Sequence, residues 1–518
     1  MFAGTRRGMG RPRKRILLQT GGVEMRSRSR LWIGLVLGAV VTMMLPLTAG
    51  AQPPDVTEAT STFEYSKNMH PLGYSAREIP LANAEPGAGS FNSDLAFWGD
   101  TAVQGTYAGF RLIDISEPDD PQEIINWEDC ASRFNSQGNQ GDVIIWDNLI
   151  IRSWNSGTPS TGSHCGDWQM NPGEEGVHVI DISDPLNPEV VAFVDLLCGS
   201  HTETLVPDLD NDRLLVYSNS SAGTFLGGGQ PPDPHQPDSC RGFDIVDVPL
   251  SDPSAASFLR FVPAGDPTEP AEMHHPCHDT SVILGDANLV ACAGSGSVGN
   301  AEGPGVAVYT IDPAEGGSKD NPKFLYYKVT GGISLGHSAS FTWDGEVIIV
   351  GHEPGGGSGA RCTADRDPLE RTFFYIDAST GESIGQFTIP RVQTATENCT
   401  THNYNVVPTD KRYVMVSGNY QSGISVIDFT DPANAKEIAF ADPAPLVNPD
   451  NPAGIELGGD WSSYWYNGRI YESDITRGLL IWKLSDNAVA GAKKLPHLNP
   501  QTQLETFPFK GTAFGTNN

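Results

Sequence analysis

The sequence predicts an all-β fold, a seven-bladed β-propeller closed by an N-terminal strand. The first observation is a short run of β-branched and aromatic residues, usually opened by Gly and closed by Asp, that recurs at intervals of 51 to 67 residues. The seven copies are residues 109–114, 176–181, 242–247, 305–310, 372–377, 423–428 and 478–483. One unit repeated this often is typical of propeller blades, whereas a stack of sandwiches, the alternative, needs no repeated unit.

The second observation is that each copy belongs to a set of four strands. Most copies are followed by Asp-Pro or another turn signal and then by a further apolar run, which is the pattern of strand, turn and strand. Another hairpin precedes each copy, such as residues 143–151, or residues 347–350 after the turn at Asp344 and Gly345. A four-stranded sheet cannot bury both faces alone, so we expect the sheets to pack radially into a ring.

The third observation concerns the closure of the ring. Residues 68–74 resemble the outer-strand sequences 187–193 and 321–327, while the last repeat lacks an outer strand of its own. We therefore expect residues 67–75 to complete blade 7, which removes the exposed edges that an open sheet would offer to aggregation.

These three observations define the domain organisation. Residues 52–64 are expected to be a disordered lead-in, residues 65–485 the propeller, and residues 486–518 a polar C-terminal tail. The blades are predicted at residues 92–129, 139–197, 201–263, 278–329, 337–390, 402–443 and 460–485. Blades 2 to 5 carry the longest loops between their second and third strands, and loops of this length usually have a function or are disordered.

The repeated third strand also resembles the LVIVD-repeat family, which is named for the same sequence. The resemblance spans about residues 65 to 485 and rests on the copies given above. Thr310 and Lys483 depart from the pattern, because they stand where the other copies have Asp. Members of the family are extracellular β-propeller-like proteins of mostly undefined function, so the resemblance implies a fold and a location, and leaves the activity open.

The first 51 residues are predicted to be a signal peptide. Arginine-rich sequence precedes an apolar core at residues 31–47, and Thr48-Ala-Gly-Ala51 provides small residues for cleavage after Ala51. Met25 is followed by three arginines within five residues and is a more usual start, so residues 1–24 are read as a possible unused upstream start. The alternative is an uncleaved membrane anchor. We expect a secreted protein, extracellular or at the cell surface, with no membrane span after cleavage.

The charge restricts the class of partner. Removing residues 1–51 would remove nine of the 33 Lys and Arg and one of the 63 Asp and Glu, which changes the formal net charge from −30 to −38. Such a surface repels nucleic acid and anionic lipid. The remaining expectation is a monomer that binds an unknown protein, glycan or small-molecule ligand.

All eight cysteines follow the predicted cleavage site, and an even number in an exported chain favours four disulfides. In a propeller, the loop before the innermost strand and the loop between the second and third strands open on the same face, and all eight cysteines map to that face. The most economical connectivity is Cys130 with Cys165, Cys198 with Cys240, Cys277 with Cys292, and Cys362 with Cys399. The sequence does not exclude other pairings.

Four histidines occupy the same position in blades 3 to 6, where the innermost strand begins. They are His201, His278, His337 and His402. Residues at this position crowd the axis, so four imidazoles could bind one divalent transition metal, the only cofactor that the pattern indicates. The second-shell candidates are Glu203, Asp279 and Asp460.

The alternative interpretation is structural, with each histidine bonded to a neighbouring strand inside its own blade. His274 and His275 could extend the cluster, and His164 and His352 lie in loops near the same face, although loop histidines of this kind are more often solvent-exposed. The sequence contains no Gly-x-Ser-x-Gly and no His-Glu-x-x-His motif, so hydrolase chemistry has no support from motifs. Two functions stay open: a binding module that acts through the disulfide-tied face, and a metal-dependent enzyme, for which redox chemistry was considered, with no catalytic residue identified.

Overall fold

The computed structural model describes residues 55–79, 91–130, 140–155, 157–219, 240–269, 274–294 and 303–511. The predicted signal peptide, its cleavage site and the last seven residues of the predicted tail lie outside these ranges. None of the helices formed by the described residues has the length and hydrophobicity that crossing a membrane requires.

Seven antiparallel sheets form the blades of a β-propeller, which confirms the predicted fold class. From the innermost strand outward, blades 1 and 2 consist of Asn92–Trp98, Thr101–Thr106, Gly109–Asp114 and Gln122–Trp127, and of Val143–Trp146, Leu149–Trp154, Gly176–Asp181 and Glu189–Asp195. Blades 3 and 4 consist of Glu203–Asp208, Arg213–Asn219, Gly242–Pro249 and Ser257–Pro263, and of Cys277–Ile283, Leu289–Gly294, Gly305–Thr310 and Lys323–Val329. Blades 5 and 6 consist of Gly336–Phe341, Val347–His352, Thr372–Asp377 and Ser383–Thr388, and of Tyr404–Val406, Val414–Gly418, Ile424–Asp428 and Lys436–Asp442. Blade 7 consists of Asp460–Tyr466, Arg469–Asp474, Gly478–Leu484 and Met69–Ala76.

The remaining elements are short. The two-residue strands are Glu64–Tyr65, His497–Leu498 and Thr502–Gln503, and a hairpin of Ser163–Cys165 and Trp168–Met170 projects from blade 2. Val56–Ala59 is one turn of α-helix. The 3-10 turns are Leu209–Asn211, Pro253–Ala255, Pro313–Glu315, Pro368–Arg371, Pro432–Asn434 and Asn487–Val489.

The ring closes as the sequence predicts. Met69–Ala76 pairs antiparallel with Gly478–Leu484, from Met69 opposite Leu484 to Ala76 opposite Gly478. Blade 7 is therefore built from both ends of the propeller sequence, and its third strand has no free edge.

The hydrophobic core is divided into layers between blades. Among the described residues, one large apolar cluster lies between each pair of neighbouring blades. Alternate side chains of one strand face the two neighbours: Ile144 packs toward blade 3, whereas Val143 and Ile145 pack toward blade 1. The innermost strands are buried on both faces, yet several of them, such as Cys277–Ile283 and Gly336–Phe341, combine apolar residues with buried Ser, Thr and His.

The prediction of a disordered lead-in at residues 52–64 is wrong for the described residues from 55 onward. Asp55 caps the helical turn through the backbone N–H of Glu58, and Glu64–Tyr65 adds a fifth strand to blade 6. Phe63 explains this order, because its ring is 8% exposed and lies 5.6 Å from the ring of Trp482 in blade 7. Burial of an aromatic ring offsets the conformational entropy lost in ordering so short a segment.

The C-terminal segment is more than a polar tail, because residues 493–507 cross the face opposite the disulfides. Leu498 pairs with Phe97 of blade 1, and the side chain of Asn499 exchanges two hydrogen bonds with the backbone of Ile145 in blade 2. Thr502 donates to the Leu205 carbonyl in blade 3, and Gln503 pairs with Ile283 in blade 4.

The same segment reaches the other three blades. Gln503 Nε2 donates to the Phe341 carbonyl of blade 5, the Lys493 N–H to the Pro408 carbonyl of blade 6, and the Leu495 N–H to Asn467 of blade 7. All seven inner strands are thus tied together at this end. The polar residues that suggested a solvated tail satisfy the backbone groups at the strand ends instead.

All eight cysteines are paired, in the connectivity that the sequence favoured: Cys130 with Cys165, Cys198 with Cys240, Cys277 with Cys292, and Cys362 with Cys399. Cys277 and Cys292 lie in the first two strands of blade 4, and the other six lie between an outer strand and the next inner strand or between a second and a third strand. These positions share one face of a propeller, so the bridges reinforce the face at which the inner strands begin.

Candidate metal centre at the propeller axis

Four histidines form a continuous row at the mouth of the axis on the disulfide face. They are His201, His278, His337 and His402, and each is at most 8% exposed. In this order, the centroids of neighbouring rings lie 4.6, 4.2 and 4.4 Å apart. The row comes from four consecutive blades and therefore covers one side of the axis.

Hydrogen bonds of the row run from blade to blade. The Nδ1 atom of His278 lies 2.9 Å from the His337 carbonyl oxygen, and Nδ1 of His402 lies 2.5 Å from the Trp461 carbonyl oxygen. A carbonyl only accepts, so both Nδ1 atoms carry the proton and both Nε2 atoms keep a lone pair. In this tautomer, His278 and His402 present Nε2 as a metal ligand or a hydrogen-bond acceptor.

His201 has the other tautomer. The backbone N–H of Gln140 donates to Asn155 Oδ1, which fixes the orientation of the amide so that its NH₂ group donates to His201 Nδ1 over 3.1 Å. His201 Nε2 therefore carries the proton and donates to His278 Nε2, 3.1 Å away. In the metal-free protein, His201 thus holds the ring of His278 through the Nε2 lone pair that a metal would use, so a bound ion would replace this hydrogen bond.

Glu353 is a member of the site that the sequence analysis missed. It follows the second strand of blade 5, is 3% exposed, and has its carboxylate oxygens 3.6 Å from His337 Nε2 and 3.7 Å from His402 Nε2. The ligand atoms of His278, His337 and Glu353 all lie within 4.8 Å of one another. His337 Nδ1 is buried and has no hydrogen-bond partner.

Tyr420 holds Glu353 in place. Its hydroxyl donates to Glu353 Oε1 over 2.6 Å, and its ring centroid lies 4.3 Å from that of His402. Tyr420 has a positive φ of 54°, which is uncommon for a residue with a side chain. Gly357 allows the contact, because a Cβ at that position would lie 2.2 Å from the tyrosine ring. The Gly-rich stretch of blade 5 thus serves close packing against Tyr420.

Burial keeps the histidines neutral. It lowers the pKa of His201 to about 4 and that of His402 to about 3, and it lowers the pKa values of His278 and His337 well below the usual range. Burial also raises the pKa of Glu353 to about 8. The imidazoles are therefore in the neutral state that metal binding requires, whereas Glu353 would have to release its proton when a metal binds.

The three second-shell candidates lie away from this cluster. Glu203 accepts hydrogen bonds from Ser200 and Ser218. Glu203 and Asp279 both lie near Asp142, whose pKa is raised by burial first and then by the carboxyl groups of Asp94, Glu203 and Asp279. Asp460 forms a separate group with Glu472 and Asp474 in blade 7. Successive side chains of a strand point in different directions, so a residue next to one of the histidines in sequence need not lie beside the histidine row.

The loop histidines add nothing to the row. His352 lies between the Leu369 carbonyl and the backbone N–H of Ser334, and His275 stacks on Tyr327 with ring centroids 3.5 Å apart. His274 Nε2 bonds to a backbone carbonyl, and His164 is half exposed beside Asp129. All four contacts are explained by local structure.

Comparisons with known proteins assign neither a family nor a function to this chain. No protein-family model and no curated protein matches the sequence. Two solved structures named "putative 6-phosphogluconolactonase", from Bacteroides uniformis and Bacteroides fragilis, are each 9% identical with TM-scores of 0.43; the alignments cover 73% and 79% of this chain and 88% and 97% of those chains. A functionally unknown protein from Desulfotomaculum acetoxidans is 11% identical over 71% of this chain and 87% of that one, with a TM-score of 0.41. Likeness at this level carries no inference about substrate or partner.

In the metal-free protein, the side chains of this site are already positioned as metal ligands. Hydrogen bonds fix the Nδ1 side of His278 and His402, so that their Nε2 atoms are positioned as ligands. Glu353, held by Tyr420, adds a carboxylate once its proton is released. Imidazole with carboxylate suits zinc, iron or copper better than calcium or magnesium.

Proposed function

We propose that this protein is an exported β-propeller that binds one divalent transition metal at the axial mouth of its disulfide-tied face. The observation that carries the proposal is that ligand atoms of His278, His337 and Glu353 meet within 4.8 Å in buried surroundings. His402 is the fourth ligand on offer, since its Nε2 lone pair lies 3.7 Å from Glu353. His201 lies outside the ligand set, and its hydrogen bond to His278 Nε2 in the metal-free protein would be replaced by the bound ion.

A centre with three protein ligands keeps a coordination position for water or substrate, as catalytic zinc and iron sites do. The histidine row lies at the mouth that the disulfides surround, while residues 493–507 cross the opposite face. A substrate would therefore approach through the disulfide-tied face. This supports a metal-dependent enzyme over a purely structural role for the four histidines.

The compartment is part of the same proposal. Four disulfides are compatible with an oxidising, extracellular environment, and the N-terminal sequence has the pattern of a signal peptide. Membership of the LVIVD-repeat family is consistent with a ring of repeats and with export, and it stays a proposal based on the third-strand sequences.

Metal titration tests the proposal. Protein beginning at residue 52, purified without a His-tag and stripped with chelator, is titrated calorimetrically with Zn²⁺, Fe²⁺, Mn²⁺ and Cu²⁺. We expect one site, and a loss of affinity of at least about 100-fold for at least one of these ions in His278→Ala and His337→Ala. The matched control is His164→Ala, which removes an exposed histidine from the same face. Equal binding by all four proteins would contradict the proposal.

The disulfide-tied face also favours a second candidate, a binding module for a protein, glycan or small ligand. The observation is that three of the four bridges join loops or loop edges, which rigid recognition surfaces need as much as active sites do. The two candidates separate once a ligand is known: a pure binding module keeps its affinity in His278→Ala, whereas a metal-dependent protein loses turnover.

A further inference from the structure

Blade 7 contains a second group of buried acidic residues that the proposed metal centre does not use. Asp460, Glu472 and Asp474 are each 0% exposed, and oxygens of all three lie within 4.8 Å of one another. Asp460 opens the innermost strand, and the other two lie on the second strand opposite it. Within the described ranges, the basic side chain paired with the group is that of Arg477, whose Nη1 donates to Asp474 Oδ2 over 2.6 Å.

Two oxygens of the group have no hydrogen-bond donor. Asp460 Oδ1 and Glu472 Oε1 are fully buried, and neither accepts from an N–H or hydroxyl group, although the two carboxyl groups contact each other. A buried carboxylate oxygen without a donor loses its hydration and gains nothing in exchange, which is costly. This is a separate observation from the clustering, and it means that the two carboxyl groups need either a shared proton or a cation between them.

The other oxygen of each carboxylate is fixed. Ser463 Oγ donates to Asp460 Oδ2 over 2.7 Å, and the indole N–H of Trp482 donates to Glu472 Oε2 over 2.6 Å. Asp474 Oδ1 accepts from the backbone N–H groups of Thr476 and Arg477. Both unpartnered oxygens are therefore held in position by contacts on the far side of their carboxylates, as ligands of a metal ion are.

We propose that Asp460, Glu472 and Asp474 bind a second cation, of the oxygen-preferring divalent class to which calcium belongs. The group offers only oxygens, which favour calcium over the transition metals expected at the histidine row. Three carboxylates against one guanidinium leave an excess of negative charge that a divalent ion neutralises. The proposal does not depend on the histidine centre, since the two sites share no ligand.

Trp482 provides a reporter for this site. Terbium(III) replaces calcium at oxygen ligands and emits when a nearby indole is excited, and the Trp482 indole is hydrogen-bonded to a proposed ligand. Chelator-treated protein is titrated with Tb³⁺ at physiological ionic strength while sensitised emission is recorded. We expect saturation at one site and displacement by Ca²⁺.

The variant is Glu472→Gln, which removes the charge and keeps an acceptor for Trp482, and the control is Glu189→Gln on the exposed outer strand of blade 2. We expect Tb³⁺ affinity to fall at least about tenfold in Glu472→Gln and to stay unchanged in the control. Asp460→Asn serves if Glu472→Gln does not fold. Independently, Ca²⁺ should raise the melting temperature of the unsubstituted protein.

Two outcomes would overturn the proposal. The first is a melting temperature that does not respond to millimolar Ca²⁺, which would indicate that Asp460 and Glu472 share a proton instead of a cation. The second is equal Tb³⁺ emission from Glu472→Gln, Glu189→Gln and the unsubstituted protein, which would indicate binding to the acidic surface only.

Discussion

His201 Nε2 lies 3.1 Å from His278 Nε2, although the two residues are 77 positions apart and belong to neighbouring blades. The contact joins two buried, neutral rings, and the Asn155 amide decides which of them donates. In this row, His201 at one end presents an N–H at Nε2, whereas His402 at the other end presents a lone pair at Nε2. The lone pairs of His278 and His402 flank His337 and Glu353, where we place the metal.

The contribution of His201 to stability should depend on pH. Burial lowers its pKa from 6.5 to about 4 in the folded protein, so the unfolded chain binds more protons between these values. Its stabilising contribution is complete above pH 6.5 and decreases as the pH falls toward 4. In metal-free protein, the difference in free energy of unfolding between the unsubstituted chain and His201→Gln should therefore shrink from pH 7 to pH 4. Urea denaturation measures it, and a difference that does not change with pH contradicts the expectation.

Glu353 should have the opposite pH dependence. Its pKa is raised from 4.5 to about 8 by burial, so the folded state binds more protons and stability is lost as the pH rises from 4.5 through 8. Glu353→Gln keeps an acceptor for Tyr420 and cannot ionise. Without metal, this variant should become the more stable protein at pH 9, as judged by the urea midpoint. Glu382→Gln, at an exposed turn of the same blade, should follow the unsubstituted protein throughout.

The bridge beside the histidine row should contribute measurably to stability. Cys277 and Cys292 are 15 residues apart in sequence and connect the two inner strands of blade 4. A closed loop of this size restricts the unfolded chain by about 3 kcal/mol. The double variant Cys277→Ser, Cys292→Ser should lose about that amount, and the unsubstituted protein should show no reactive thiol under denaturing, non-reducing conditions. Two or more reactive thiols would mean that the connectivity is wrong.

The segment before the closing strand should matter more than its position suggests. Phe63 is 8% exposed and packs on Trp482, so Phe63→Ala should lower the free energy of unfolding by about 3 kcal/mol. Phe258→Ala is the matched control, because that ring is 45% exposed on an outer strand. Chemical denaturation of both variants measures the two losses in free energy of unfolding, and we expect the larger loss in Phe63→Ala. Equal losses would show that residues 55–65 do not contribute to the packing between blades 6 and 7.

The fold could be predicted because its determinants are local and repeated. Seven third strands share one pattern, and residues 68–74 match the outer strands they complete. The repeat positions placed all eight cysteines at one face, and the pairing was favoured because each cysteine is joined to its neighbour in sequence. The position of the C-terminal segment could not be predicted, because Asn499 and Thr502 contact different blades and their own sequence has no periodic pattern that indicates these contacts.

The candidate site was predicted in part, for the same reason. The histidines occupy one repeat position, whereas Glu353 follows His352 in a loop and has no counterpart in the other blades. Its place beside His337 and His402 depends on Tyr420 in the next blade and on the space that Gly357 leaves for that ring. Such contacts between loops of different blades have no signature at the level of periodicity.

The most direct test of the central claim is an anomalous-scattering map from crystals of untagged protein grown with Zn²⁺ and recorded on both sides of the zinc absorption edge. We predict a peak at about 2.0 to 2.2 Å from Nε2 of His278 and His337 and from a carboxylate oxygen of Glu353. A map with no peak at the histidine row, or with zinc only on surface carboxylates, would contradict the account.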